Sequence, residues 1–205
     1  MSIYTYTTLD DPLATDLTVA QGINGVGQIV GSYHNDSGDH GFLLSGGAYT
    51  TLDDPLGISG TLANGINSAG MIVGTYFDNS GRHGFLYNPN GGTYTTIDPL
   101  ATISTDAFGI NSAGMIVGTY LNNSGRHGFL YDPNGGTYTT IDDPLATTST
   151  VAYGINNSGQ IVGSYTNASG AHGFLLSGGT YTTLDDPLGT NGTGALAKPT
   201  CCCAM

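Results

Sequence analysis

The 205-residue chain has no tryptophan and no glutamate, and charged residues make up only 9% of it. Helices ordinarily carry Glu, Lys and Arg on their exposed faces, so this shortage argues against helix. All 15 acidic residues are aspartate, and the only cations are Arg82, Arg126 and Lys198. The resulting net charge of −12 repels phosphate backbones and anionic lipid, which excludes nucleic acid as a partner. No run of 18 apolar residues occurs, so no membrane-spanning helix is expected. Nor does the chain open on basic residues followed by an apolar stretch, and no secretory signal of the usual type is expected. Cysteine is confined to Cys201, Cys202 and Cys203, so no disulfide can staple a core. Gly-x-Ser-x-Gly, His-Glu-x-x-His and phosphate-cradling loops are all missing, and no catalytic residue is assigned.

What remains is rich in Gly (34) and Tyr (13), with Asn, Asp, Ser and Pro for turns and Thr, Ile and Val for strands. It is also periodic. Gly-Ile-Asn begins at Gly22, Gly65, Gly109 and Gly154, at spacings of 43, 44 and 45 residues. The histidine of His-Gly-Phe-Leu falls at His40, His83, His127 and His172 with the same spacings. Tyr-Thr-Thr begins at Tyr6, Tyr49, Tyr94, Tyr138 and Tyr181. Three markers in one register define a tandem repeat of supersecondary units.

Within one module the pattern predicts four short strands, over residues 16–24, 28–34, 40–44 and 49–52. Asn24-Gly25-Val26-Gly27 and Asn35-Asp36-Ser37-Gly38 have the form of tight turns between them. Adjacent apolar residues such as Ile29 and Val30, or Phe42 and Leu43, point to opposite faces, so both faces of each small sheet need cover. Neighbouring modules packed face to face supply it, and Gly31 and Gly41 are expected to let those sheets approach. The reading is an all-β chain of tandem four-stranded antiparallel blades, β-propeller-like, with a β-solenoid or an open repeat array as the alternative. The first strand of each module is expected innermost and Tyr-Thr-Thr outermost.

The modules divide as a surplus N-terminal strand (1–13), repeats over 14–56, 57–100, 101–145 and 146–188, and a partial repeat with the Cys tail (189–205). The fourth module already owns its Tyr-Thr-Thr strand, so the one over residues 4–9 is extra. Two outcomes are open. The ring closes on four blades with an added edge strand, or the extra strand pairs with another subunit.

Gly-Ile-Asn-x-x-Gly-x-Ile-Val-Gly-x-Tyr, then His-Gly-Phe-Leu and Tyr-Thr-Thr-Leu-Asp, resembles the HAF repeat family of bacterial extracellular proteins over residues 4–188. That family typically has His-Ala-Phe where this chain carries Gly41, Gly84, Gly128 and Gly173. The resemblance implies an extracellular or cell-surface setting and carries over no activity, cofactor or catalytic residue.

The repeat-equivalent His40, His83, His127 and His172 begin third strands, which are not innermost, so they read as structural and not as ligands of one shared metal. Asp10-Asp11, Asp53-Asp54, Asp142-Asp143 and Asp185-Asp186 each precede Pro, and Asp98 stands alone in the remaining copy. Asp before Pro ends a strand and starts a turn. Clustered carboxylates also suit Ca²⁺, which makes these eight residues the weak metal candidates; otherwise no cofactor is expected. Cys202-Cys203-Ala204-Met205 has the form of a prenylation box but lacks a basic cluster ahead of it, and the tail reads as a terminal remnant, with thiol-based metal capture or a cross-link between subunits as the alternative. Polar positions that recur in every copy suit a non-enzymatic scaffold whose partner is itself, through strand swapping or filament formation. The alternative is a multivalent, lectin-like carbohydrate binder, since repetition adds avidity.

Overall fold

The computed structural model describes residues 5–99 and 103–188. Among them are sixteen strands and no helix. They form four antiparallel meanders: β1 (Thr18–Ile23), β2 (Ile29–Asn35), β3 (Gly38–Ser45) and β4 (Ala48–Leu52); β5 (Gly60–Ile66), β6 (Ile72–Asp78), β7 (Gly81–Asn88) and β8 (Thr93–Ile97); β9 (Ser104–Ile110), β10 (Ile116–Asn122), β11 (Gly125–Asp132) and β12 (Thr137–Ile141); β13 (Ser149–Ile155), β14 (Ile161–Asn167), β15 (Gly170–Ser177) and β16 (Thr180–Leu184). In each, the fourth strand pairs only with the third and is an edge. Single parallel bridges, Asp39 to Gly60, Arg82 to Ser104 and Arg126 to Ser149, link one meander to the next.

The turns follow from Asn and Gly. At Asn24 the side-chain Oδ1 accepts from the amides of Val26 and Gln28, while Gly27, at φ 81°, donates to the Asn24 carbonyl. Asn67, Asn111 and Asn156 do the same in their own modules.

Cover for the two faces comes from stacking, as the paired apolar residues require. One face of the first meander presents Val30, Leu43 and Leu52 to Ala63, Ile66, Ile72, Tyr76 and Phe85 of the second. Val73, Leu86 and Ile97 meet Ala107, Ile110, Ile116, Tyr120 and Phe129 in the same way. Val117, Leu130 and Ile141 meet Ala152, Ile161, Tyr165 and Phe174. One interface is thus built three times. Gly31 serves a different purpose from the one its repetition suggests. A Cβ there would lie 1.9 Å from the Val19 carbonyl oxygen and 2.8 Å from the Phe42 ring, both in its own meander, so this glycine admits Phe42 rather than the next sheet.

The stack is open. Among the described residues no ladder or core cluster joins the fourth meander to the first. Its two ends are therefore partly bare, although Tyr33 and Phe42 of the first meander stay buried within it. Ile23 is 67% exposed, whereas its equivalents Ile66 and Ile110 are 9% and 8% exposed. At the other end Leu184 is 39% exposed, against 3% for Leu52 and 0% for Ile97.

The expected strand over residues 4–9 is not formed within the described part. Residues 5–9 join no ladder, Tyr4 lies outside the described residues, and Tyr6 is 94% exposed. The reason is topological. A strand of this type pairs with the third strand of the meander before it, and among the described residues no meander precedes β1. The expected partial repeat over 189–198 and Cys201, Cys202 and Cys203 also lie outside the described residues.

Candidate functional site

Each repeat carries one polar relay. His40 stands on β3 directly across from Tyr33 on β2, and the two rings stack at 5.1 Å. Asp53 follows β4 and places its carboxylate 3.0 Å from His40 Nδ1. On the other side Ser37, in the β2–β3 turn, puts its hydroxyl 2.9 Å from Nε2. Equivalent chains join Ser80, His83 and Asp98; Ser124, His127 and Asp142; and Ser169, His172 and Asp185. The serines and their partners Asn35, Asp78, Asn122 and Asn167 were legible only as turn residues. Their constant place before each histidine was the available signal.

Ser–His–Asp is the connectivity of a nucleophile relay, and the third copy borders a cleft of about 140 Å³ beside Arg126. Two features oppose a nucleophilic role. Each serine proton is already donated to the turn residue, at 2.6 Å in the case of Ser124 and Asn122. The amides of Ser124 and Gly125 both donate to that same Asn122 oxygen, so neither is free to stabilise an oxyanion. The relay ties hairpin, third strand and fourth strand together.

The paired aspartates do not act as pairs. Asp53, Asp142 and Asp185 reach histidines, as does the single Asp98. Asp54 instead turns into the chain, where it accepts from the Leu56 amide while its own amide donates to Thr61 Oγ1. Asp11 and Asp143 repeat that arrangement with Thr18 and Thr150. Asp186 accepts from the Leu188 amide, and Asp10 is exposed. Burial raises the Asp54 pKa above the usual range despite the Leu56 hydrogen bond that lowers it. Among the described residues no group of three or more His, Cys or Asp side chains is arranged to hold a metal ion.

The symmetry breaks at the innermost strands. Each carries a register shift just before its Gly-Ile-Asn, so that Gln21, Asn64, Phe108 and Tyr153 drop out of the ladder. A bulge of this kind re-aims a side chain. All four line one cleft of about 180 Å³ to which every meander contributes. The strands converge there because glycine leaves room: a Cβ on Gly65 would lie 2.6 Å from the Phe108 carbonyl oxygen. Phe108 and Tyr153 lie 5.5 Å apart. Gln21 Oε1 is buried with no hydrogen-bond partner among the described residues. The signal for this site was the residue before Gly-Ile-Asn, which differs in every copy.

No family model and no curated protein matches the chain. Solved structures do. An acylaminoacyl peptidase in complex with Z-Gly-Gly-Phe-chloromethyl ketone superposes with a TM-score of 0.54 at 17% identity, over 82% of this chain and 27% of that one. Pyrococcus horikoshii acylaminoacyl peptidase gives 0.53 at 17% identity, over the same shares of the two chains. Porphyromonas gingivalis dipeptidyl peptidase 4, at 0.47 and 12% identity over 71% and 23%, adds no weight. The chain spans about a quarter of the length of these proteins. The likeness is one of fold, to β-propeller domains. It defines the class of this chain as an all-β, repeated-strand, propeller-like protein.

Proposed function

We propose that this chain is a four-bladed, propeller-like repeat scaffold that acts without catalysis, by self-association, in an extracellular setting. One observation carries the reading: the two bare end faces are the two halves of the interface built three times inside the chain. The first blade exposes Ala20 and Ile23 and the last exposes Leu184. A polar ladder runs the same way. Asn24 donates to the Asn67 carbonyl, Asn67 to that of Asn111 and Asn111 to that of Asn156, whereas Asn156 turns back on Gln160. A second copy offers the missing face and the missing carbonyl together. Such head-to-tail contacts build rings when the rotation closes and filaments when it does not.

Sedimentation velocity over a concentration series tests the reading. Ile23→Asp is expected to weaken association by about tenfold or more, the equivalent of roughly 1.4 kcal/mol from one apolar anchor lost. A strict monomer at every concentration sinks it.

The central cleft favours a second reading, carbohydrate binding. Phe108 and Tyr153 offer an aromatic face, Gln21 an unmet acceptor, and no charged side chain lines the cleft. Neutral polyhydroxyl ligands meet those terms. A glycan array with the protein and with Tyr153→Ala decides: binding lost in the variant supports this reading, and an array without hits removes it.

A further inference from the structure

Residues 6–13, Tyr-Thr-Thr-Leu-Asp-Asp-Pro-Leu, are identical to residues 49–56 and to residues 181–188. The second and third of these octapeptides contain β4 and β16, edge strands that end in an Asp-Pro turn.

The first is half in place. Its turn docks on the first meander as residues 53–56 dock on the second. The Asp11 amide donates to Thr18 Oγ1 at 3.0 Å, as that of Asp54 does to Thr61 Oγ1 at 3.0 Å. Asp11 Oδ1 accepts from Leu13 at 2.9 Å, as Asp54 Oδ1 does from Leu56 at 2.9 Å. Asp11 is as buried as Asp54. The strand half joins no ladder among the described residues, and Tyr6 stands in solvent. The turn thus holds residues 6–9 beside the place where the third strand of a preceding meander would run.

Resting on the self-association reading, we propose that residues 6–13 are a donor strand for another copy of this chain. When the first meander of one copy stacks on the fourth meander of another, in the geometry of the three internal interfaces, residues 6–9 fall on β15. There residues 181–184 already pair, Gly173 with Leu184, Phe174 with Thr183, Leu175 with Thr182 and Leu176 with Tyr181. Both cannot stay. Because the two octapeptides are identical, exchange replaces each contact with its like. Tyr6 takes the place of Tyr181 against Phe174, Thr8 that of Thr183 at the Tyr165 hydroxyl, and Asp10 that of Asp185 at His172. The local exchange is near neutral, and burial of the two bare apolar faces sets its direction. Exposed edges template such pairing readily.

Disulfide trapping tests the register. Ser177 pairs with Thr180, whose counterpart in the first octapeptide's frame is Thr5. Two full-length chains, both with Cys201→Ser, Cys202→Ser and Cys203→Ser, carry Thr5→Cys in one and Ser177→Cys in the other. Directly paired strand residues suit a disulfide. On mixing and mild oxidation, the mixed disulfide is expected to exceed either homodimer by about tenfold or more, since pairing holds the thiols at millimolar effective concentration. Sedimentation of the same proteins separates the outcomes. Association without the excess of mixed disulfide overturns strand donation and leaves self-association standing, while monomers throughout overturn both.

Discussion

Asp78 is the residue at which the second relay departs from the others, which carry Asn35, Asn122 and Asn167 at that point of the turn. Hydrogen bonds from the Ser80 hydroxyl and amide hold its carboxyl down to about 2, with the neighbouring charge on His83 adding to them. Burial works against the charged form of His83, but the hydrogen bond and charge of Asp98, and then those of Asp78, outweigh it and raise the pKa above 6.5. A raised histidine contributes its stability in full below its unfolded value and loses it as pH rises through the folded one. Asp78 works oppositely: its contribution is present above the ordinary carboxylate range and fades as pH falls toward about 2. Asp78→Asn is expected to lower the His83 pKa measured by NMR titration, since one of two facing carboxylates is gone. An unchanged titration would show that Asp98 alone sets it. The histidine period was legible in the sequence. Its partners were not, because Ser80 and Asp98 lie on either side of His83 along the chain, and only the folded strand brings both to one ring.

At the scale of the element, the Asp-Pro turn shows what one missing residue does. Three turns close by an amide-to-threonine bond, at Asp11, Asp54 and Asp143. The second module ends in Asp98-Pro99 alone, and Asp98 is spent on His83. Thr105, the counterpart of Thr61, accordingly has a buried Oγ1 with no partner among the described residues. Thr61→Val is expected to cost about 1–3 kcal/mol, because it leaves the Asp54 amide unmet. Thr105→Val is expected to be neutral or stabilising, because it removes a buried orphan of the same shape. Thermal melts report both, at about 2–4 °C for each kcal/mol in a chain of this length. Equal losses would contradict the assignment. Turn chemistry at Asp-Asp-Pro was readable from residue type, and so was the missing aspartate. The division of labour between the two aspartates was not, since adjacent side chains take their partners from different strands.

For the whole molecule, repeat-equivalent positions allow one substitution to be compared in two settings. Ile66→Asp places a carboxylate in a dry interface, and Ile23→Asp places one in solvent. The first is expected to unfold the second meander's packing. The second should leave the melting temperature of the dilute protein unchanged, which makes Ile23→Asp a clean probe of association. A matching loss of stability in dilute Ile23→Asp would mean that its face is not free.

The sequence by itself determined the period, the strand order within a module, the turns and the need for cover on both faces. Each of these depends on residue type at short range: alternation, Asn and Gly in turns, and apolar neighbours on one strand. Tertiary structure decided what depends on neighbours far along the chain. The stack stays open, and residues 5–9 are left without a ladder, because among the described residues no meander precedes β1 to offer its third strand. Only stacking brought Gln21, Asn64, Phe108 and Tyr153 to one cleft, since backbone register, which sequence pattern does not encode, drops each of them out of its strand.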